Sequence, residues 1–396
     1  MPFVLYRREA FEPLTEAPWD DAFVRHAIRR IVADVDAAYD ADALWPADEW
    51  DGWQASTPMK NLYVGAAGVV HALDVLRRRG IADSRLDLAS AAARALGAFR
   101  EAPDFMRGEN APAPAASALL RGETGILLVA WRLSPSPELE RDLLERVRQN
   151  VDNQADEVMW GTPGTLIAAR AMLEWTGGDE WQHACRDSAE SIWRRRDDDG
   201  FWVQRLHGAA ERRLNPPHGL VGNVLALRDA IADDRRAHLL EETSALLEQT
   251  AVVEGALANW PMCVGAPLEL SDGEIRVQWC GGAPGMVAGA APYLDEELLL
   301  AGARLVWQAG PPGMEKGSSI CHGTAGNGYA FLKAFERTGD EEWLERARRF
   351  ALHALEQVER RGRGRYSLWT GDLGVALYAA DCLAGRTAYP VFETWD

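Results

Sequence analysis

Two short stretches hold residue types that suit a metal ion: Cys280 in Gln278-Trp-Cys-Gly-Gly-Ala-Pro-Gly285, and Cys321 with His322 in Ser319-Ile-Cys-His-Gly-Thr-Ala-Gly-Asn327. Two thiolates and one imidazole make a three-ligand zinc set with a fourth position open. Structural zinc sites usually close with four protein ligands, whereas catalytic ones keep a place for water or substrate. The expectation is a zinc enzyme with one Zn2+ per chain, its substrate taking the fourth place. A solitary cysteine is more often a small buried hydrophobe. Here, however, each cysteine stands two residues before the first glycine of a Gly-x-x-Gly element, at equivalent places in a repeat.

The elements that must position these residues recur seven times: Gly65-Ala-Ala-Gly68, Gly122-Glu-Thr-Gly125, Gly161-Thr-Pro-Gly164, Gly219-Leu-Val-Gly222, Gly282-Ala-Pro-Gly285, Gly323-Thr-Ala-Gly326 and Gly371-Asp-Leu-Gly374. Each leads into an apolar run, and between them lie more charged amphipathic stretches at 84–100, 138–149, 179–194, 235–249, 295–307 and 340–357. A further helix is expected from Asp20, with Phe23, Ala27, Ile28, Ile31, Val32 and Val35 at mostly three- and four-residue steps. Glycine in mid-helix costs about 1 kcal/mol relative to alanine, so the pairs are expected at helix starts. There the missing Cβ permits close backbone approach and a turn in a dihedral region closed to other residues. A fixed recurrence of this kind reads as a repeat array. The expected fold is all-α: an α/α toroid, or double-layered barrel, of seven helical hairpins with the glycine turns at its mouth. One body over residues 1–396 is expected, with residues 1–18 as an N-terminal arm and 42–58, carrying Trp45, Trp50 and Trp53, as an aromatic loop.

Other residues share the register of the turns. His218 immediately precedes Gly219 as His322 precedes Gly323, so the toroid aims both imidazoles at one mouth. His218 suits a fourth ligand, a general acid/base or a core histidine. Glu157 stands four residues before Gly161 and Arg276 four before Cys280; either type is commonly only solvated. Lys316 lies five residues before Cys321.

The totals narrow the class. A hydrophobic fraction of 47% with 26% charged residues is ordinary for a soluble globular protein with a large core. A net charge of −18 argues against nucleic acid or an anionic membrane as a general partner, although a local basic pocket is compatible with it. Five cysteines in a long acidic chain do not form a disulfide framework, which points to a reducing compartment. With no apolar leader and no bilayer-length run, the cytoplasm is the expected location. A closed ring needs no second copy for its core, so a monomer is expected.

Trp279-Cys280-x-Gly-Ala-Pro-Gly285 and Cys321-His322-Gly-Thr-Ala-Gly-Asn327, set in seven glycine hairpins, resemble the lanthionine synthetase C (LanC) family over residues 61–393. Gln278-Trp-Cys, Lys316 and Arg365-Tyr-Ser-Leu-Trp369 are similar to the eukaryotic-type LanC-like branch, and the chain resembles a stand-alone cyclase domain. The resemblance implies a zinc toroid that adds a thiol to dehydroalanine or dehydrobutyrine in a dehydrated peptide or protein. The thiol is a peptide cysteine in the bacteriocin cyclases and glutathione in the eukaryotic-type branch. By motif position Cys280, Cys321 and His322 match the zinc ligands. His218, Arg276 and Glu157 resemble the other active-site groups, and Lys316 a glutathione-side residue. Gly281 departs from the pattern, because the family commonly has Tyr or His there.

The chemistry agrees with the residues: a thiol on zinc is deprotonated outright. His218 would then protonate the α-carbon, Arg276 would stabilise the enolate oxygen and Glu157 would orient one of them. Two other readings stay open. One is a zinc-containing scaffold that binds peptide or glutathione without turnover. The other is a carbohydrate-active α/α toroid, although a glycosidase needs paired carboxylates and the only ones inside the glycine pairs are Glu123 and Asp372.

Overall fold

A computed structural model describes residues 4–48, 58–104, 115–206, 208–362 and 364–396. Among them, fourteen α-helices form two concentric rings. The inner ring is α2 (Ala66–Arg78), α4 (Glu123–Leu133), α6 (Thr162–Thr176), α8 (Leu220–Leu227), α10 (Ala283–Ala290), α12 (Thr324–Thr338) and α14 (Asp372–Ala384). Each inner helix touches the next, and α14 returns to α2. The outer ring is α1 (Asp21–Ala38), α3 (Leu88–Glu101), α5 (Pro137–Gln149), α7 (Asp179–Arg194), α9 (Asp233–Thr250), α11 (Glu296–Ala309) and α13 (Glu341–Arg361). Helix α1 packs on α14, so the first helix of the chain is the outer partner of the last hairpin.

The layers follow from composition. A helix apolar on all sides must be surrounded, and α4 is buried from Glu123 through Trp131. Outer helix α5 buries only Leu143 and Val147 and leaves its charges in water. Outer helices α1, α3, α5, α11 and α13 begin at side-chain caps, namely Asp20, Asp87, Ser136, Asp295 and Asp340. Inner helices begin at glycine with no side-chain cap. In several, the carbonyls of the preceding loop take the orphan amides instead: Ala66 donates to Met59, Leu220 to Arg213, Thr324 to Gly317 and Asp372 to Arg365.

This capping explains the glycine pairs. The loop folds back over the helix start, so a Cβ on the second glycine would collide with the loop's own carbonyl: that of Leu62 at Gly68, Pro216 at Gly222 and Leu368 at Gly374. The same glycine abuts the preceding hairpin, and the contact between Gly68 and Leu368, 3.0 Å for an added Cβ, joins the first turn to the last. The expected use of a forbidden dihedral region holds only at Gly282, where φ is 96°. The other first glycines are extended, and close approach alone excludes a side chain there.

Smaller differences have local causes. The expected helix at 84–100 starts later, at Leu88, where Asp87 caps it. Phe23 is exposed, and Val24 takes the buried place on α1. The longer connections carry two antiparallel ribbons, β1 (Gln204–Leu206) with β2 (Ala209–Glu211) and β3 (Val252–Glu254) with β4 (Leu257–Asn259). Trp45 is buried and donates to the Val35 carbonyl at 2.8 Å, whereas Trp50 and Trp53 lie outside the described residues.

The N-terminal arm lies across α13. Glu12 accepts from Nε2 of His353 and of Gln357 at 2.7 Å and also pairs with Arg360. The Thr15 amide donates to His353 Nδ1 at 3.1 Å, which makes His353 the neutral Nε2–H tautomer. No helix among the described residues is long and apolar enough to cross a membrane.

Candidate metal centre and active site

Nine of the residues that stand one or two places before a first glycine line a common cavity of about 300 Å³. One place before stand Arg121, His218, His322 and Thr370; two places before stand Tyr63, Met159, Pro217, Cys280 and Cys321. Backbone bonds tie neighbouring turns together. Cys280 N–H donates to the Cys321 carbonyl at 3.3 Å, Cys321 N–H to Trp369 at 3.0 Å and Trp369 N–H to Tyr63 at 3.3 Å.

The ligand atoms of Cys280, Cys321 and His322 lie within 4.8 Å of one another, with both cysteines buried and the imidazole half-buried. Tyr63 Oη is 3.0 Å from Cys321 Sγ, and Asn215 Nδ2 donates to the Cys280 carbonyl at 2.6 Å. A hydrogen bond from the Cys321 thiol, outweighing burial, holds the Cys280 thiol well below its ordinary value. Burial and the adjacent Cys280 push Cys321 well above it. Two sulfurs so close in a buried site cannot both ionise unless a cation joins them. Two soft sulfurs and an imidazole are the donor set that zinc takes, so the residues fit that ion.

The other three cysteines contrast with this pair. All five are free of disulfides. Burial pushes Cys185 up to about 11 and Cys382 higher, while Cys263 is half-buried and raised by burial and Glu211.

Glu157 is fully buried rather than solvated. Its Oε1 accepts the Trp160 amide at 2.6 Å, and its Oε2 accepts the Met159 amide at 3.0 Å and His218 Nδ1 at 2.7 Å. A carboxylate engaged this way only accepts, so His218 Nδ1 carries the hydrogen and Nε2 is left for the proton that moves. The Val158 amide bonds the Pro217 carbonyl at 3.2 Å, which fixes the two turns that carry this pair.

Arg276 lines the cavity, with Met262 Sδ 3.7 Å from its Nη1 and Glu274 3.7 Å from its Nε. Lys316 is not among the lining residues; its ammonium lies 3.2 Å from Glu274, so it shares that carboxylate with Arg276. At Gly281 the space for a side chain is filled by the Met262 thioether and the Arg276 chain. Glu123 and Asp372 are likewise away from the cavity. Glu123 pairs with Arg100 and Arg146, and Asp372, raised to about 6 by burial, pairs with Arg361. Neither is placed to flank a glycosidic bond.

Sequence reasoning missed seven lining residues, Met159 and Pro217 among them at the offset of Cys280. Tyr63, Arg121 and Thr370 share the turn offsets of Cys280 and His218, a signal present in the repeat itself. Arg213 and Met262 come from the ribbon-bearing connections, where no repeat applies; the Leu214 amide donates to the Met262 carbonyl at 3.1 Å and brings them together.

The model of the lanthionine synthetase C-like protein family matches residues 52–394. The glutathione S-transferase LANCL1 of Danio rerio is 33% identical over 199 residues, 46% of this chain and 46% of that protein. The LanC-like protein GCL1 of Arabidopsis thaliana is 32% identical over 131 residues, 29% of this chain and 28% of that protein. The chain thus spans less than half the length of the curated relatives it matches. Among solved structures, nisin cyclase has the same fold, with a TM-score of 0.61 over 91% of this chain and 94% of its own at 14% identity. With the family model matched over most of its length, this chain belongs to the lanthionine synthetase C-like family.

Proposed function

We propose that this protein adds a thiol to a dehydroalanine or dehydrobutyrine residue and so forms a thioether, with one zinc ion held by Cys280, Cys321 and His322. The observation that carries the reading is the meeting of these three donors with the His218–Glu157 pair and Arg276 around one cavity. When bound, zinc supplies acidity to a coordinated thiol, which is thereby held as a thiolate at neutral pH.

The residues account for the rest of the reaction. His218 Nε2 takes the proton of the S–H bond, sulfur bonds the β-carbon, and the electron pair of the olefin moves toward the neighbouring carbonyl as an enolate. Arg276 stabilises that oxygen as charge develops. His218 delivers a proton to the α-carbon from Nε2, held in the useful tautomer by Glu157. The substrates are a dehydrated peptide or protein and a thiol from peptide cysteine or glutathione. The glutathione S-transferase activity in the name of the Danio rerio relative favours glutathione. Lys316, outside the lining and paired with the Glu274 carboxylate that Arg276 also faces, would meet only a part of the thiol donor that extends beyond the cavity.

The test is mass spectrometry of a dehydroalanine peptide incubated with protein and either glutathione or a cysteine peptide. An adduct of olefin plus thiol above the protein-free rate supports the reading. Binding of both with the olefin untouched would leave a non-catalytic scaffold.

A further inference from the structure

The charge of the cavity wall runs opposite to that of the molecule. The chain carries −18, yet the lining holds Arg121, Arg213 and Arg276 with two histidines and, among the described residues, no carboxylate. Arg213 and Arg276 come from the connections. Arg121 comes from the turn itself, immediately before Gly122, at the offset that His218 and His322 occupy in theirs.

Its guanidinium carbon lies 5.1 Å from the Tyr63 ring centroid and 5.4 Å from that of Trp160. Tyr63 in turn bonds Cys321 at 3.0 Å, so Arg121 is one ring away from the candidate metal centre. Arginine held against aromatic rings keeps its planar fork of donors and loses little freedom on binding a carboxylate. A cavity with this wall draws anions out of an otherwise repelling field.

We propose that Arg121 is a specificity residue that binds a carboxylate of the substrate beside the reacting sulfur. The inference rests on the addition reading only for where sulfur sits. The carboxylate belongs either to the thiol donor or to an acidic side chain next to the olefin, and one experiment distinguishes the two.

Calorimetry on the zinc-loaded full chain would compare two matched pairs of probes. One pair is N-acetylcysteine and its neutral carboxamide; the other is a dehydroalanine peptide with Glu beside the olefin and the same peptide with Gln. In at least one pair the carboxylate member should bind about tenfold more tightly, as expected for a hydrogen bond to a charged group. Arg121→Gln should abolish that preference while leaving the neutral member's affinity and the zinc content unchanged, and Arg121→Lys should retain part of it. The pair that shows the effect identifies the source of the carboxylate. A purely structural role would weaken both members alike and overturn the proposal, as would the absence of preference in both pairs. If Arg121→Gln does not fold, the wild-type preference and its reduction in Arg121→Lys carry the same test. Adduct formation, scored separately, keeps the two readings apart. Selective binding without adduct sinks the addition reading alone, and adduct without charge preference sinks this one alone.

Discussion

His218 Nδ1 lies 2.7 Å from Glu157 Oε2, and that carboxylate is fully buried with both oxygens already accepting turn amides. One side chain therefore caps a turn and fixes the tautomer of the histidine in the next. The pair joins two glycine turns at the level of the cavity, so fold and chemistry depend on the same contact.

Replacing either member should separate these roles. His218→Gln should fold normally, keep its zinc and slow thiol addition by about 10²- to 10⁴-fold, the usual weight of a general acid or base. Glu157→Gln presents an NH2 group where two N–H groups and an imidazole N–H need an acceptor, so it should lower both the rate and the melting temperature. Steady-state rates, metal analysis and thermal melts on both variants check this. A fully active His218→Gln would remove it from the mechanism.

Two glycines test why the repeat has the residues it has. Gly68→Ala drives a Cβ into the Leu62 carbonyl and against Leu368 at the ring closure, and should destabilise by roughly 1–3 kcal/mol, as overpacking does. Gly97, within α3, has open space at its Cβ, so Gly97→Ala should stabilise by up to about 1 kcal/mol. Chemical denaturation of the two variants gives opposite signs on this account.

The docking of the arm should depend on pH. Burial pushes Glu12 up, but hydrogen bonds from Arg360, His353 and Gln357 outweigh it and leave the carboxyl below its ordinary value of 4.5. Burial holds His353 below its ordinary 6.5, against the pull of Glu12. A group whose folded value is depressed contributes stability above its unfolded value and loses it as pH falls. The His353 part therefore fades below about pH 6.5 and the Glu12 part below about 4.5. The difference in melting temperature between wild type and Glu12→Gln should persist from neutrality down to about pH 4.5 and shrink below it.

Legibility in the sequence followed the repeat. The glycine pairs, the apolar runs after them and the offsets of Cys280, Cys321, His322 and His218 could be read because each turn repeats the same constraint, and the rings close as that reading requires. Arg121 obeys the same offset, but in the sequence an arginine before a glycine looks like any solvated charge. Arg213 and Met262 had no register to betray them, as they reach the cavity through ribbon-bearing loops of irregular length. Lys316 is tied to the site in the sequence only by the family resemblance, and its ammonium lies 3.2 Å from Glu274. The sequence suggests unusual dihedrals for the paired glycines; the capping carbonyls that exclude a side chain there are visible only once the loop is folded.

Metal analysis of the purified full chain bears most directly on the account, because every proposed role is arranged around one cation. Wild type and Cys185→Ser should each hold one equivalent of zinc, and Cys280→Ser and Cys321→Ser should fall far below it. Wild-type protein that holds no stoichiometric zinc after reconstitution, or Cys321→Ser protein that keeps a full equivalent, would contradict it.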